Sequence, residues 1–429
     1  MPVSHPDPAG NIGTLTTPGA ALPADPHGRI RILSISRCFP YQDIDHGGGR
    51  YVAQLARAWE PFADVTWAVP DNVENQQALA RPGRPEDVVL VGRSGSRSAA
   101  SRALSFAAHQ AQARVTLGGP TRPPLTMASR LLLAPALRAA VRDADVIDLQ
   151  WLEYIRLHRL IRRLNPRARV VGTFHDSTAQ AFTRYAESLP MPERARWQKH
   201  ASDTARSEAV AAGAVDIGVV FSEKDRELVD PGGRHNVVVL PPAQQISGPV
   251  DRDPSAGPTC VFVGHFGRPE NESGLRWLLE AVWPLVRSER TDAHLLLVGP
   301  GASAELSALV SSTPGVRFTG FVPDLGEVLG RAWVALSPLL RGGGVKFKTV
   351  ESLLAGTPTV ATTVGAEGIV PMESLTAVED DAEGFSRAVL HVLSDPLRAA
   401  RETAAHQDAL QDSYGWPAFD RRVRSIYWP

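Results

Sequence analysis

The sequence predicts an α/β chain of two doubly wound, Rossmann-like domains that face a central cleft. Three observations predict it. Short apolar runs alternate with amphipathic helical stretches along most of the 429 residues. The alternation stops in a stretch rich in Pro, Gly, Ser and Asp, 243–258, and then restarts. Each half opens in the same way, on a buried-type strand, a turn and an amphipathic helix.

Residues 31–36 (RILSIS) read as the first strand. Gly47, Gly48 and Gly49 follow, and then Val52, Leu55, Ala56 and Trp59 share one helical face. Further strands are expected at 65–69, 88–91, 145–150 (DVIDLQ), 170–175 (VVGTFH), 217–222 (IGVVFS) and 237–240. After Pro258 the series resumes with 259–264 (TCVFVG), followed by a helix that groups Leu275, Leu278, Leu279 and Val282. Strands at 295–299, 316–320, 334–339 and 359–364 complete it. This gives a domain at 29–242, a linker at 243–258 and a second domain at 259–412. Residues 413–429 read as a helical segment placed to cross back, and 1–28, with no hydrophobic periodicity, as a disordered tail.

Composition excludes several classes. A net charge of −1 gives no whole-chain attraction to nucleic acid. The two cysteines, Cys38 and Cys260, lie in apolar runs, which argues against a disulfide framework or a zinc site and fits a reducing, cytoplasmic compartment. No signal peptide is legible, and no apolar run reaches the roughly 18 residues that a spanning helix needs. One region departs from the average. No acidic residue occurs between Asp87 and Asp143, whereas Arg93, Arg97, Arg102, Arg114, Arg122, Arg130, Arg138 and Arg142 all fall there. Solvated helices and a flexible loop account for it, and so does a basic surface for an anionic acceptor or for lipid headgroups at the inner face of a membrane.

The stretch richest in chemistry is 340–369, LRGGGVKFKTVESLLAGTPTVATTVGAEGI. A strand ends at Leu339, three glycines follow, and a helix opens near Lys346 and Lys348. Glycines let backbone approach a ligand closely. Free N–H groups at a helix start, with two lysines, suit a diphosphate. Glu351 lies one turn further along, where a carboxylate suits paired sugar hydroxyls.

This stretch resembles the donor-site motif of the retaining glycosyltransferases of GT-B fold, specifically the GT4-like family. The resemblance extends over CVFVGHFGRPEN (260–271), LLLVGPG (295–301) and VRFTGFVPDL (316–325), and more weakly over GGGRYVAQLARAW, FHD (174–176) and VVFSEKD (219–225). It implies a nucleotide-sugar donor on the C-terminal domain, an unidentified acceptor on the N-terminal domain, retention of configuration and no essential metal or other cofactor. His175, Lys348 and Glu351 would form the catalytic set, with Glu351 on the ribose and His175 on the transferred sugar. The donor contacts implied are Gly48, Gly49, His265, Arg268, Val322, Arg341, Gly343, Gly344, Val345, Lys346, Lys348 and Glu351. Two departures stand out. The family places a first Glu eight residues before the second, and here that position is Gly343. After the first C-domain strand, where relatives carry Arg and Lys, this chain has His265, Arg268 and Asn271.

Other chemistries fit less well. Asp43-Ile44-Asp45 and Asp143-Ala144-Asp145 have the D-x-D form of a metal–nucleotide site, but neither ends a strand. Gly47 to Gly49 fall short of a dinucleotide fingerprint, and Ser34, Ser36 and Ser222 stand in no nucleophile elbow. A nucleotide-sugar epimerase or phosphorylase, or a non-catalytic partner subunit, would use the same fold.

Overall fold

The computed structural model describes residues 28–42, 44, 46–92, 125–244, 246, 248–250 and 257–428. The tail, residues 93–124 of the arginine-rich region, and Asp43 and Asp45 lie outside the described residues. Two parallel sheets form the two halves. The first holds β1 (Ile30–Ile35), β2 (Ala63–Pro70), β3 (Val88–Val91), β4 (Val146–Gln150), β5 (Arg169–Thr173), β6 (Ile217–Val220) and β7 (Val237–Val239). The second holds β8 (Thr259–Val263), β9 (His294–Val298), β10 (Val316–Gly320), β11 (Val334–Ser337), β12 (Thr359–Ala361) and β13 (Ala377–Val378). Their spatial orders are 3-2-1-4-5-6-7 and 10-9-8-11-12-13. Each order reverses once, between β1 and β4 and between β8 and β11. A doubly wound sheet opens a crevice at that switch point, beyond the carboxyl ends of the strands.

Helices cover both faces of each sheet, so most of the central strands are buried on both sides, whereas the edge strand β10 alternates. Along β1, Ile30 and Ile32 enter the core cluster that holds Trp59, while Leu33 and Ile35 enter the one that holds Leu131 and Ile161. Every expected strand is present, with ends shifted by a few residues. β13 had no sequence signal, because two residues are too short to show a pattern.

Two local features differ from the sequence reading. The glycines Gly47, Gly48 and Gly49 are not a loop before a helix but its first turn, in Gly47–Trp59. His46 caps that helix by accepting the Gly49 N–H on its Nδ1, 3.0 Å away. Arg130 is not on a solvated basic face: it is buried, and its guanidinium donates to the Gly92 carbonyl. Among the described residues no helix is long and apolar enough to cross a membrane.

The last helix, Trp416–Tyr427, leaves the second domain and packs on Gly47–Trp59. Phe419, Val423, Ile426 and Tyr427 are buried in the same cluster as Ile30 and Trp59. Their spacing, i, i+4, i+7, i+8, is one helical stripe. The Arg57 guanidinium lies 3.9 Å over the Trp416 ring and closes the edge of this contact.

Candidate functional site

The two switch points face each other. From the N-terminal side come the start of helix Gly47–Trp59, Trp151 after β4, and His175 and Asp176 after β5. From the C-terminal side come the loop after β8, the glycine segment after β11 and helix Phe347–Leu354.

His175 sits in an aromatic box. Its ring stacks on Trp151 at 3.9 Å and 4°, and Tyr51 and Phe221 meet it edge-on at 5.4 and 5.3 Å. Burial, with Arg37 and His46 adding to it, lowers its pKa to about 3, so the imidazole is neutral at physiological pH. Gly48 is required beside it. A Cβ there would stand 2.7 Å from the Trp151 ring, which leaves no room for any side chain.

On the C-terminal side, helix Phe347–Leu354 presents Val350, Leu353 and Leu354 to the core. Gly356, at φ +74°, ends the helix in the left-handed conformation that suits glycine. Glu351 is half-buried and faces the cleft. Burial pushes its carboxyl up, and Arg50, on the opposing helix, works against that. The Lys348 ammonium donates to Asn271 Oδ1 at 2.6 Å and lies 4.7 Å over the Phe262 ring. The Asn271 amide in turn donates to the His265 carbonyl at 2.9 Å, which ties this lysine to the loop after β8. Burial, with Lys346 adding to it, lowers Lys348 to about 7. Arg268 and Glu270 act on the same ammonium.

The sequence reading aimed both lysines at one spot, and the structure separates them. Lys346 caps the helix and Lys348 lies two residues on, so the two side chains leave on different faces. The Lys346 ammonium turns toward the glycine segment, donating to the carbonyls of Gly343 (3.0 Å) and Gly344 (2.6 Å), and lies 3.6 Å from Glu367. Burial lowers it to about 8. Of the other expected contacts, Gly343, Gly344 and Val345 line the cleft, with Gly343 opposite Gln180 and Gly344 opposite Asp176. His265, Arg268 and Arg341 are exposed around it. Val322 lines a cavity of about 600 Å³ beside β8–β10 and helix Leu325–Arg331.

Glu367 was not singled out from sequence, yet it joins the two domains. Arg184 grips it with two bonds, 2.6 and 2.9 Å, and donates to the Gly342 carbonyl as well. Lys224, also from the N-terminal domain, lies 3.0 Å from it. Burial would push this carboxyl up, but Arg184, Lys224 and Lys346 outweigh that and hold it at about 2. Gly368, at φ +74°, brings the backbone so close to Ser222 that a Cβ would stand 3.1 Å from that side chain. The cluster therefore works as a clasp across the cleft. Glu367→Ala leaves Arg184 and Lys346 without this carboxylate and Lys224 with Asp225 alone, and is expected to cost about 2 kcal/mol. The checks are the melting temperature and the radius of gyration by X-ray scattering, which should fall and rise respectively. Because the folded carboxyl titrates below its ordinary range, the clasp is complete above about pH 4.3 and is lost as pH falls toward 2.

Among the described residues no three His, Cys, Asp or Glu side chains converge as a metal set. Both cysteines are buried free thiols.

Residues 257–395 match the family described as Glycosyl transferases group 1. Among curated proteins, 155 residues are 28% identical to the GDP-mannose-dependent monoacylated alpha-(1-6)-phosphatidylinositol monomannoside mannosyltransferase of Corynebacterium glutamicum, covering 33% of this chain and 41% of that one. Another 27% identity over 187 residues links the chain to the glycogen synthase of Mycobacterium tuberculosis, covering 41% and 44%. The chain spans less than half the length of the curated relatives it matches. Among solved structures, Anabaena HepE in complex with UDP superposes with a TM-score of 0.62 at 12% identity, over 92% of this chain and 98% of that one. Sucrose-phosphate synthase from Thermosynechococcus elongatus gives 0.59 at 17%, over 93% and 98%. At such identities the likeness is one of fold. The chain thus has the two-domain GT-B architecture, and its residues 257–395 are similar to the glycosyl transferases group 1 domain.

Proposed function

We propose that this protein is a retaining, metal-independent glycosyltransferase of the GT4-like type, which moves a sugar from a nucleotide-sugar donor to an acceptor held by the N-terminal domain. One observation carries this reading. Glu351 and the Lys348–Asn271–His265 group on one side face a neutral His175 on the other, across a cleft at the switch points of both sheets. In this reading Glu351 holds the ribose hydroxyls, and Lys348, with Arg268 and the helix start, takes the charge of the departing diphosphate. His175 receives a hydroxyl of the transferred sugar. The acceptor attacks from the face that the diphosphate leaves, and the departing phosphate oxygen takes the acceptor's proton. The new glycosidic bond forms as the sugar–phosphate bond breaks. The Corynebacterium relative is named for a GDP-mannose donor and HepE was crystallised with UDP, so both bases belong in the test.

A thermal-shift screen against UDP-, GDP-, dTDP- and ADP-sugars, with and without a chelator, tests donor binding and metal independence together. At least one donor should raise the melting temperature equally in both conditions. No shift with any of them would sink the reading and favour a non-catalytic partner subunit. Conversion of a donor without acceptor would point to an epimerase.

A second outcome has a structural basis. The Asp176 carboxylate borders the cleft opposite Gly344, where it could serve as the base of an inverting transfer. The anomeric configuration of the product by NMR separates the two.

A further inference from the structure

We infer that a buried chain of Gln150, Asp148 and Tyr427 fixes one tautomer of His175, so that its bare Nδ1 faces the cleft as the acceptor for a hydroxyl of the donor sugar. The part concerning the sugar rests on the proposed function, and the part concerning the tautomer does not.

The chain can be followed atom by atom. His175 Nε2 lies 2.8 Å from Gln150 Oε1. An amide oxygen only accepts, so Nε2 carries the hydrogen and Nδ1 is bare. The Gln150 amide has no freedom to turn round. Its nitrogen donates to both oxygens of Asp148 at 2.9 Å, and the reversed amide would set oxygen against carboxylate. Asp148 is held in turn by the Ser34 hydroxyl and the Tyr427 hydroxyl, each donating at 2.7 Å. Asp148, Gln150, Ser34 and Tyr427 are all fully buried. This is a satisfied polar network in a dry core, where orientation is strongly enforced.

The surroundings of His175 aim the free nitrogen. Trp151 covers one face, and Tyr51 and Phe221 close two edges. The Nδ1 edge is directed at Gly48, half-exposed in the cleft, where a Cβ would stand 3.5 Å from it. Trp151 itself has φ +68° and ψ 149°, a backbone region essentially reserved for glycine. Its guanidinium neighbour, Arg37, lies 5.0 Å over the indole and pairs with Glu153, which holds the strained residue in place. The charged or titratable groups around His175 include Arg37 from the loop after β1, His46 at the cap and Tyr51 within helix Gly47–Trp59, and Asp148 behind Gln150.

Tyr427 makes the chain testable. Burial pushes the Asp148 carboxyl up to about 6, against the three donors that hold it down. When Asp148 takes up a proton, only one of its oxygens remains a pure acceptor, so the preference for this Gln150 orientation weakens, and with it the preference for the Nε2–H tautomer.

The first measurement is nitrogen NMR of the full chain with labelled histidine. A bare Nδ1 on His175 above pH 7 is expected, and a protonated Nδ1 there would overturn the tautomer assignment. Addition of the nucleotide sugar found by thermal shift should move the Nδ1 resonance, whereas the nucleoside diphosphate alone should not. Equal response to both would overturn the sugar contact while leaving the tautomer. The second measurement is the pH profile of kcat/KM. Tyr427→Phe removes one donor to Asp148 and should shift the acid limb upward by about half to one pH unit, with activity above pH 8 within about twofold of the parent. A uniform loss at every pH would show that Tyr427 serves packing only. Asp148→Asn should abolish the limb and lower kcat/KM by about 10- to 100-fold throughout.

Discussion

Replacement of Lys348 by methionine is expected to lower kcat by about 100- to 1,000-fold, the usual cost of losing one charged or hydrogen-bonding group aimed at a developing oxyanion. The fold should persist, because methionine keeps the aliphatic stem against the Phe262 ring. Affinity for the nucleoside should change much less than kcat. The pH dependence gives a sharper check. Burial brings the free Lys348 ammonium down to about 7, and only the protonated form attracts a diphosphate. In the parent enzyme kcat/KM should therefore fall as pH rises above about 7. A bound diphosphate restores the charged form, so the limb should move to higher pH in kcat. Lys348→Arg keeps the charge throughout and should flatten the alkaline limb. An unchanged limb in the arginine variant would remove Lys348 from the diphosphate.

Glu351→Ala should weaken donor binding and turnover together, lowering kcat/KM by about 100-fold. Two hydroxyl contacts to one carboxylate, each with a net worth of about 1.5 kcal/mol, account for that figure. Stability should hold or rise slightly, since the carboxylate is half-buried and its charged form is disfavoured there. Glu351→Gln keeps the shape and one acceptor, and should recover part of the loss. The discriminating substrate is a donor built on a 2′,3′-dideoxyribose. It should react equally with parent and Glu351→Ala enzymes, and persistence of the full difference would place Glu351 elsewhere than on the ribose.

Much of the architecture was legible in the sequence because parallel strands buried on both faces leave continuous apolar runs, as RILSIS and TCVFVG do. The helix after the glycine segment was legible for a similar reason: Val350, Leu353 and Leu354 mark its core face, and Gly356 its end. Contacts across long sequence separations were not. Arg184 and Glu367 stand 183 residues apart, and nothing local to either indicates the other. Gln150 and Asp148 read as strand residues among apolar neighbours, so their role as a buried polar chain emerges only when Tyr427 arrives from 279 residues away. Trp151 gave no warning either, because a left-handed backbone is normally announced by glycine or asparagine. The two lysines were misgrouped by proximity in sequence, which on a helix is a poor guide to direction. Glu367 does not supply the acid that Gly343 lacks relative to the motif the segment resembles: its oxygens are already taken by Arg184, Lys224 and Lys346.

The return of the last helix to the first domain has a mechanical meaning. The polypeptide passes between the halves twice, once near Gln244 and once at Tyr414–Gly415, and the two passages are bonded to each other, Gln244 N–H to the Tyr414 carbonyl at 2.9 Å. A single tether would let one half swivel freely about the other. Two tethers laid side by side act as a door hinge, which permits bending about one axis and resists torsion. Opening the cleft should thus be a one-dimensional motion that returns the glycine segment to the same register each time. A chimaera that exchanges donor halves would have to be cut at both passages, around 244 and 414, to keep that axis.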